Sequence, residues 1–202
     1  MRHRGTWTAD NRALTMYRYL PVDVPPHANG LHVQLSYDRS AGVLDLGCEA
    51  PQAFRGWPGG ARDEFIIRDA ATPGYLAGDL EAGTWHVILG LHRIPPEGLD
   101  YEVATQVYAG AAATVRPQPE RADPPRPHRT PPRELPSVDG LVWRAGDFHS
   151  HTVHSDGALT VTELACLAAE RGLDFLAVTD HNTASPRPHG WTPSRRTADC
   201  CR

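Results

Sequence analysis

The segment Asp147-Phe-His-Ser-His-Thr-Val-His-Ser-Asp-Gly157, answered by Thr179-Asp-His-Asn182, gathers the side chains best suited to chemistry. Four of the eleven histidines, His149, His151, His154 and His181, lie between positions 149 and 181. His149 and His151 are two apart, and residues so spaced on an extended strand point to one side, so both rings can meet one cation. Asp156 follows five residues later. Imidazole nitrogen together with carboxylate oxygen favours zinc, manganese or iron over calcium. An isolated histidine is ordinarily a solvated loop residue. Here a spaced pair, a following aspartate and Asp180-His181 coincide, which points to His149, His151, Asp156 and His181 as metal ligands. They could close around one ion, or serve an open pair ~3.5–4 Å apart that activates water and clamps a phosphoryl oxygen. His154 and Asp180 are the candidate catalytic residues. His154 reads as a further ligand, a general acid near a leaving group, or a polar loop residue. Asp180 reads as a carboxylate that orients a ligand histidine from behind.

These residues need strand ends to hold them. Leu141-Val-Trp leads into a short strand at Asp147–His149, and a loop runs from Ser150 to Leu159. Thr160-Val-Thr-Glu163 has the form of a capping box, in which the Thr and Glu side chains satisfy free amides at a helix start. Val161, Leu164, Ala165 and Ala168 then form an apolar stripe at helical spacing, and Gly172 suits the left-handed position just past the helix. Phe175-Leu-Ala-Val178 is wholly apolar, as expected of a parallel strand covered on both faces. The pattern is one βαβ unit with both histidine motifs at the C-terminal ends of neighbouring strands, where α/β folds collect ligands.

Residues 1–115 read as all-β. Short apolar runs recur at Ala13 to Val22, Leu31 to Tyr37, Val43 to Leu46, Phe65 to Ile67, Trp85 to Leu91 and Tyr101 to Tyr108, separated by Gly and Pro. Such punctuation predicts a sandwich or jelly-roll-like domain, with no helical period of useful length. In the loop Phe54-Arg-Gly-Trp-Pro-Gly-Gly-Ala-Arg62, Trp57 with Arg55 or Arg62 could hold an anionic ligand. The favoured reading tucks Trp57 under the sandwich or against a neighbouring domain.

Eight prolines between positions 117 and 136 leave nothing for a core, so residues 116–140 read as an extended linker between two units. A net charge of -4 with no basic face makes nucleic acid an unlikely partner; a small molecule is expected instead. No run approaches the ~20 apolar residues that cross a bilayer, and no apolar segment follows the basic N-terminus, so the expectation is a cytoplasmic protein without a membrane partner. Cys48 and Cys166 sit among apolar residues as core side chains, and Cys200-Cys201 read as exposed and incidental.

The segments His149-Ser-His-Thr-Val-His-Ser-Asp-Gly157 and Val178-Thr-Asp-His-Asn-Thr183 resemble the opening of a PHP (polymerase and histidinol phosphatase) domain. Upstream, Leu44-Asp-Leu-Gly47, the 54–62 loop, Ala71-Thr-Pro-Gly-Tyr75 and Ala82-Gly-Thr-Trp-His-Val-Ile-Leu-Gly90 are similar to the β-rich domain of CehA/McbA-like metallohydrolases. The resemblance implies an N-terminal β domain followed by the first βαβ portion of a distorted (β/α)7 barrel over residues 141–183. It implies a cluster of two or three zinc, manganese or iron ions that hydrolyses phosphoesters or, in some members, carbamates and related esters. His149 and His151 match ligands of one metal, Asp156 and His181 those of a second. The family's bridging Glu and its later His and Asp ligands have no counterpart before Arg202, and His189 is not fixed by any pattern. The loss of pattern after Thr183 reads as a reading-frame shift, with residues 184–202 an unstructured tail. The expectation is an incomplete hydrolase, weakly active or inactive. The alternative is a non-catalytic β-sandwich binding module with an inert barrel remnant. Residues 1–115 are expected to fold alone.

Overall fold

The computed structural model describes residues 1–110, 128, 130–131 and 135–185. Its elements in order are β1 (Arg2–Trp7), α1 (Ala9–Leu14), β2 (Tyr17–Val24), β3 (Ala28–Tyr37), β4 (Val43–Glu49), β5 (Phe54–Gly56), β6 (Glu64–Ile67), β7 (Gly83–Arg93), β8 (Leu99–Ala109), β9 (Gly146–Ser150), α2 (Val161–Glu170) and β10 (Phe175–Val178). The first eight strands form two four-stranded antiparallel sheets, ordered β1-β8-β3-β6 and β2-β7-β4-β5.

The strand alternation produces the core. On β3, Leu31, Val33 and Leu35 turn inward; on β4, Leu44, Leu46 and Cys48; on β7, Trp85, Val87, Leu89 and Leu91. With Phe65, Ile67, Leu99 and Val103 they form one buried cluster drawn from both sheets, which defines a sandwich. Both described cysteines are buried and in no disulfide, and burial pushes the Cys48 thiol well above its ordinary range, as expected of a core side chain.

Three local features depart from the sequence expectation. The run starting at Ala13 is a strand only from Tyr17, because Thr8 and Asn11 form a reciprocal capping box that starts a short helix ending at Leu14. β1 lacks apolar alternation and is held instead by its ladder to β8. Arg4 bonds Glu102 at 2.5 Å, Thr6 bonds Asp100 at 2.5 Å, and Trp7 stacks on Tyr101 with ring centroids 4.7 Å apart. The three-residue β5 also went unmarked by any apolar run; it pairs with the end of β4.

Beyond Val138, β9 and β10 pair in parallel, with α2 connecting them. Thr160 and Glu163 close the capping box, the Thr160 amide donating to Glu163 at 2.7 Å and the Glu163 amide to Thr160 at 3.1 Å. At the other end Gly172 takes φ +69°, with Gly172 N–H donating to Ala169 (3.1 Å) and Leu173 N–H to Ala168 (2.9 Å). That is the 6→1, 5→2 pattern of a Schellman motif. The expected lead-in Leu141-Val-Trp is not strand: Leu141 makes only an isolated bridge to Val138, and Trp143 is 65% exposed. Nor is the apolar strand covered on both faces. All four residues of β10 are half-buried or exposed, since β9 is its one sheet neighbour among the described residues.

The tail beyond Ser185, with His189, Cys200 and Cys201, lies outside the described residues, as does most of the Pro-rich segment. One described residue of that segment does not behave as a free spacer. Thr130 bonds the Ala169 carbonyl through its amide (3.3 Å) and the Glu170 carbonyl through its hydroxyl, satisfying acceptors at the end of α2. Among the described residues no helix is long and apolar enough to cross a membrane.

The burial contrast gives a measurable asymmetry. Leu46→Ala, at a fully buried position, should cost roughly 3 kcal/mol in urea unfolding. Phe148→Ala, at a residue 75% exposed, should cost less than about 1 kcal/mol. Equal losses would contradict this distribution of the core.

Candidate metal centre

The parallel pairing sets the two histidine-bearing loops side by side. Val178 registers with Ser150, and beyond that point the Thr179 amide donates to the Ser150 carbonyl at 2.8 Å. The Ser150 hydroxyl returns a bond to the Ala177 carbonyl at 2.7 Å. The strands therefore end together, and the residues that follow, His151 and His181, bring their rings to 4.3 Å between centroids.

The loop after β9 folds tightly on itself. Ser155 N–H and Gly157 N–H both donate to the Thr152 carbonyl at 3.0 Å, and Val153 N–H donates to Leu159 at 2.9 Å. Gly157 is required by this closure, for a Cβ there would lie 2.2 Å from the His151 carbonyl oxygen. Asp180 then binds the loop to the second strand end. It accepts the Thr152 amide (2.8 Å), the Thr152 hydroxyl (2.7 Å) and the Ser155 hydroxyl (2.5 Å). Through one backbone amide and two side-chain hydroxyls it fixes the loop against the second strand end.

Of the four sequence-proposed ligands, His151, Asp156 and His181 place their donor atoms within 4.8 Å of one another. His149 adjoins them, its Nε2 being 3.1 Å from Nε2 of His151. His151 Nδ1 lies 2.7 Å from Asp156 Oδ1, and His181 Nε2 lies 3.8 Å from Asp156 Oδ2. An ionised carboxylate can only accept, so the hydrogen of the 2.7 Å contact belongs to His151 Nδ1. In the neutral ring that leaves the Nε2 lone pair directed toward His149. The Asp156 carboxyl lies below its usual range: desolvation, the largest single influence, raises it, and the His151 bond, a backbone amide and the His151 and His181 charges together outweigh that.

These donors fit a divalent transition metal. Two ligands each ~2.0–2.2 Å from one ion sit ~3–4 Å apart. The His149–His151 separation of 3.1 Å and the Asp156–His181 separation of 3.8 Å both fall in that range. The shorter His151–Asp156 contact is a hydrogen bond that joins the two pairs, the arrangement by which a carboxylate fixes the tautomer of a ligand histidine.

His154 does not join this group. It is buried, and its Nδ1 lies 2.7 Å from the Ser185 hydroxyl, which also accepts the Gly74 amide of the sandwich at 3.0 Å. Arg62 makes the second crossing, donating from Nε to Pro73 (2.8 Å) and from Nη2 to the Val153 carbonyl. The loop 54–62 thus has a structural part. Arg55 is buried, spent on the carbonyls of Leu76, Gly78 and Asp79, and its guanidinium lies 5.0 Å from the Trp85 ring centroid. Both arginines are thus engaged by backbone carbonyls. The bracing role of Arg62 and Ser185 escaped the sequence reading, because an arginine donating to carbonyls leaves no spacing signature.

No protein-family model, curated protein or solved structure matches the chain. The centre itself can be tested through its loop. Gly157→Ala should weaken zinc or manganese binding at least ten-fold by calorimetry while the sandwich melts at an unchanged temperature. Unaltered metal affinity would show that the closed loop does not set the donor geometry.

Proposed function

We propose that the chain is part of a metal-dependent hydrolase of the PHP superfamily, acting on phosphoesters. The observation that carries this reading is the convergence of His149, His151, Asp156 and His181 from the ends of two parallel strands, at separations that suit ligands of divalent ions. A bound divalent cation supplies activation of water and stabilisation of charge developing on a phosphoryl oxygen. The chain's own residues do the holding. His149 and His151 present nitrogen donors, Asp156 fixes the His151 tautomer and adds an oxygen, and Asp180 keeps both loops together. The resemblance places further ligands on later barrel strands. Carbamates or related esters are the second substrate class that the resemblance admits.

A binding-module reading has its own support: the complete hydrophobic core is that of the sandwich, whereas β9 and β10 are half-buried or exposed. Hydrolysis of 4-nitrophenyl phosphate with added manganese or zinc separates the two. Metal-stimulated turnover should fall at least ten-fold in His151→Ala and in His181→Ala. Turnover indifferent to metal and to both substitutions would leave the sandwich as the functional unit.

A further inference from the structure

Tyr17 on β2 and Asp45 on β4 both register with Gly90 on β7, so the three form one row across the sheet. Leu44, Leu46, Leu89 and Leu91 face the core, which puts this row on the outer face. The middle position has no side chain, and the Trp57 indole occupies the space above it. A Cβ on Gly90 would lie 2.5 Å from Trp57 Cζ2, and one on Gly47 would lie 3.0 Å from Trp57 Cε3. Tyr17 meets Trp57 edge-on, with centroids 5.1 Å apart and planes at 86°.

These residues line a cleft of about 660 Å³, with Phe54, Met16 and Leu76 along its apolar side. Its far wall is the segment Asn182–Ala184, which begins at the residue after His181. Tyr17 and Phe54 are open to solvent, 48% and 45% exposed. Asp45 is the lining carboxylate. Desolvation raises its pKa, and the charge of His92 and a bond from Trp57 lower it only in part. Among the described residues no lysine or arginine forms an ion pair with Asp45. A half-desolvated carboxylate beside two or three aromatic rings attracts a weakly hydrated cation, through charge from one side and ring quadrupoles from the others.

We propose that this cleft binds a small organic cation, an ammonium or quaternary ammonium group held in the cleft against Asp45, Tyr17 and Trp57. Resting on the hydrolase reading, one consequence follows: the cleft abuts the His181 loop, so it selects phosphoesters whose alcohol carries such a cation. The binding itself does not depend on that reading.

The test is therefore made on the full chain in EDTA, following Trp fluorescence and calorimetry with choline as the probe and 3,3-dimethyl-1-butanol as its uncharged isostere. Choline should bind, and the isostere at least ten-fold more weakly. Asp45→Asn and Tyr17→Leu should each weaken choline at least ten-fold while melting as the parent does. Equal binding of both probes would make the cleft merely apolar and overturn the proposal. So would no choline binding, or choline affinity unmoved by either folded variant. With manganese present, choline phosphate should be hydrolysed in preference to phenyl phosphate, and Asp45→Asn should remove that preference. Choline binding without any hydrolysis would sink the hydrolase reading and leave the cation site standing.

Discussion

The Asp180 carboxylate is the interaction on which the candidate centre depends. Three donors from Thr152 and Ser155 converge on it from the other loop. Bonds to a charged acceptor are stronger than neutral ones, and three together offset part of the entropy of ordering a short loop. The loop they hold carries His151 at its start and Asp156 near its end, and His181 follows Asp180 directly. One carboxylate that need not touch a metal thereby sets the relative positions of three donors.

The sandwich contributes rigidity that the βαβ segment does not have. Its two sheets enclose a fully buried core, whereas β9 and β10 form a two-stranded pair with little cover. Pairs of strands are marginal without further packing. Arg62 and Gly74 reach across to the Val153 carbonyl and the Ser185 hydroxyl, so the metal-facing loop is braced by the well-packed unit. His154 takes part in the same bracing through Ser185. Positions that invite a catalytic assignment by residue type thus serve to join the two parts.

Glycine placement shows the same economy on the outer sheet face. Gly47 and Gly90 sit where a Cβ would press on the Trp57 indole. Their effect is to let an aromatic ring lie close against the sheet, beside a carboxylate that would otherwise face water.

The sequence by itself determined most of the core strands, the helix α2 and the candidate His/Asp group. Alternating apolar residues in β3, β4 and β7 specify inward and outward faces because side chains on a strand alternate with period two. The capping box at Thr160 and the left-handed Gly172 delimit α2 through backbone groups only a few residues apart. The spacing of His149 and His151, with Asp156 and His181 beyond, marks a metal-suited set because strand ends gather such residues. The polar edge strand β1 and the capped helix α1 were not legible, since their support comes from β8 and from a Thr–Asn box rather than from hydrophobic period. Only the tertiary structure decided that Arg62 braces the loop, that Asp180 accepts from Thr152 and Ser155, and that β10 remains open. It alone brought Tyr17, Asp45 and Trp57 around one cleft. Each of these depends on contacts between segments far apart in the chain, and local pattern carries no information about which distant carbonyl or ring will lie within reach.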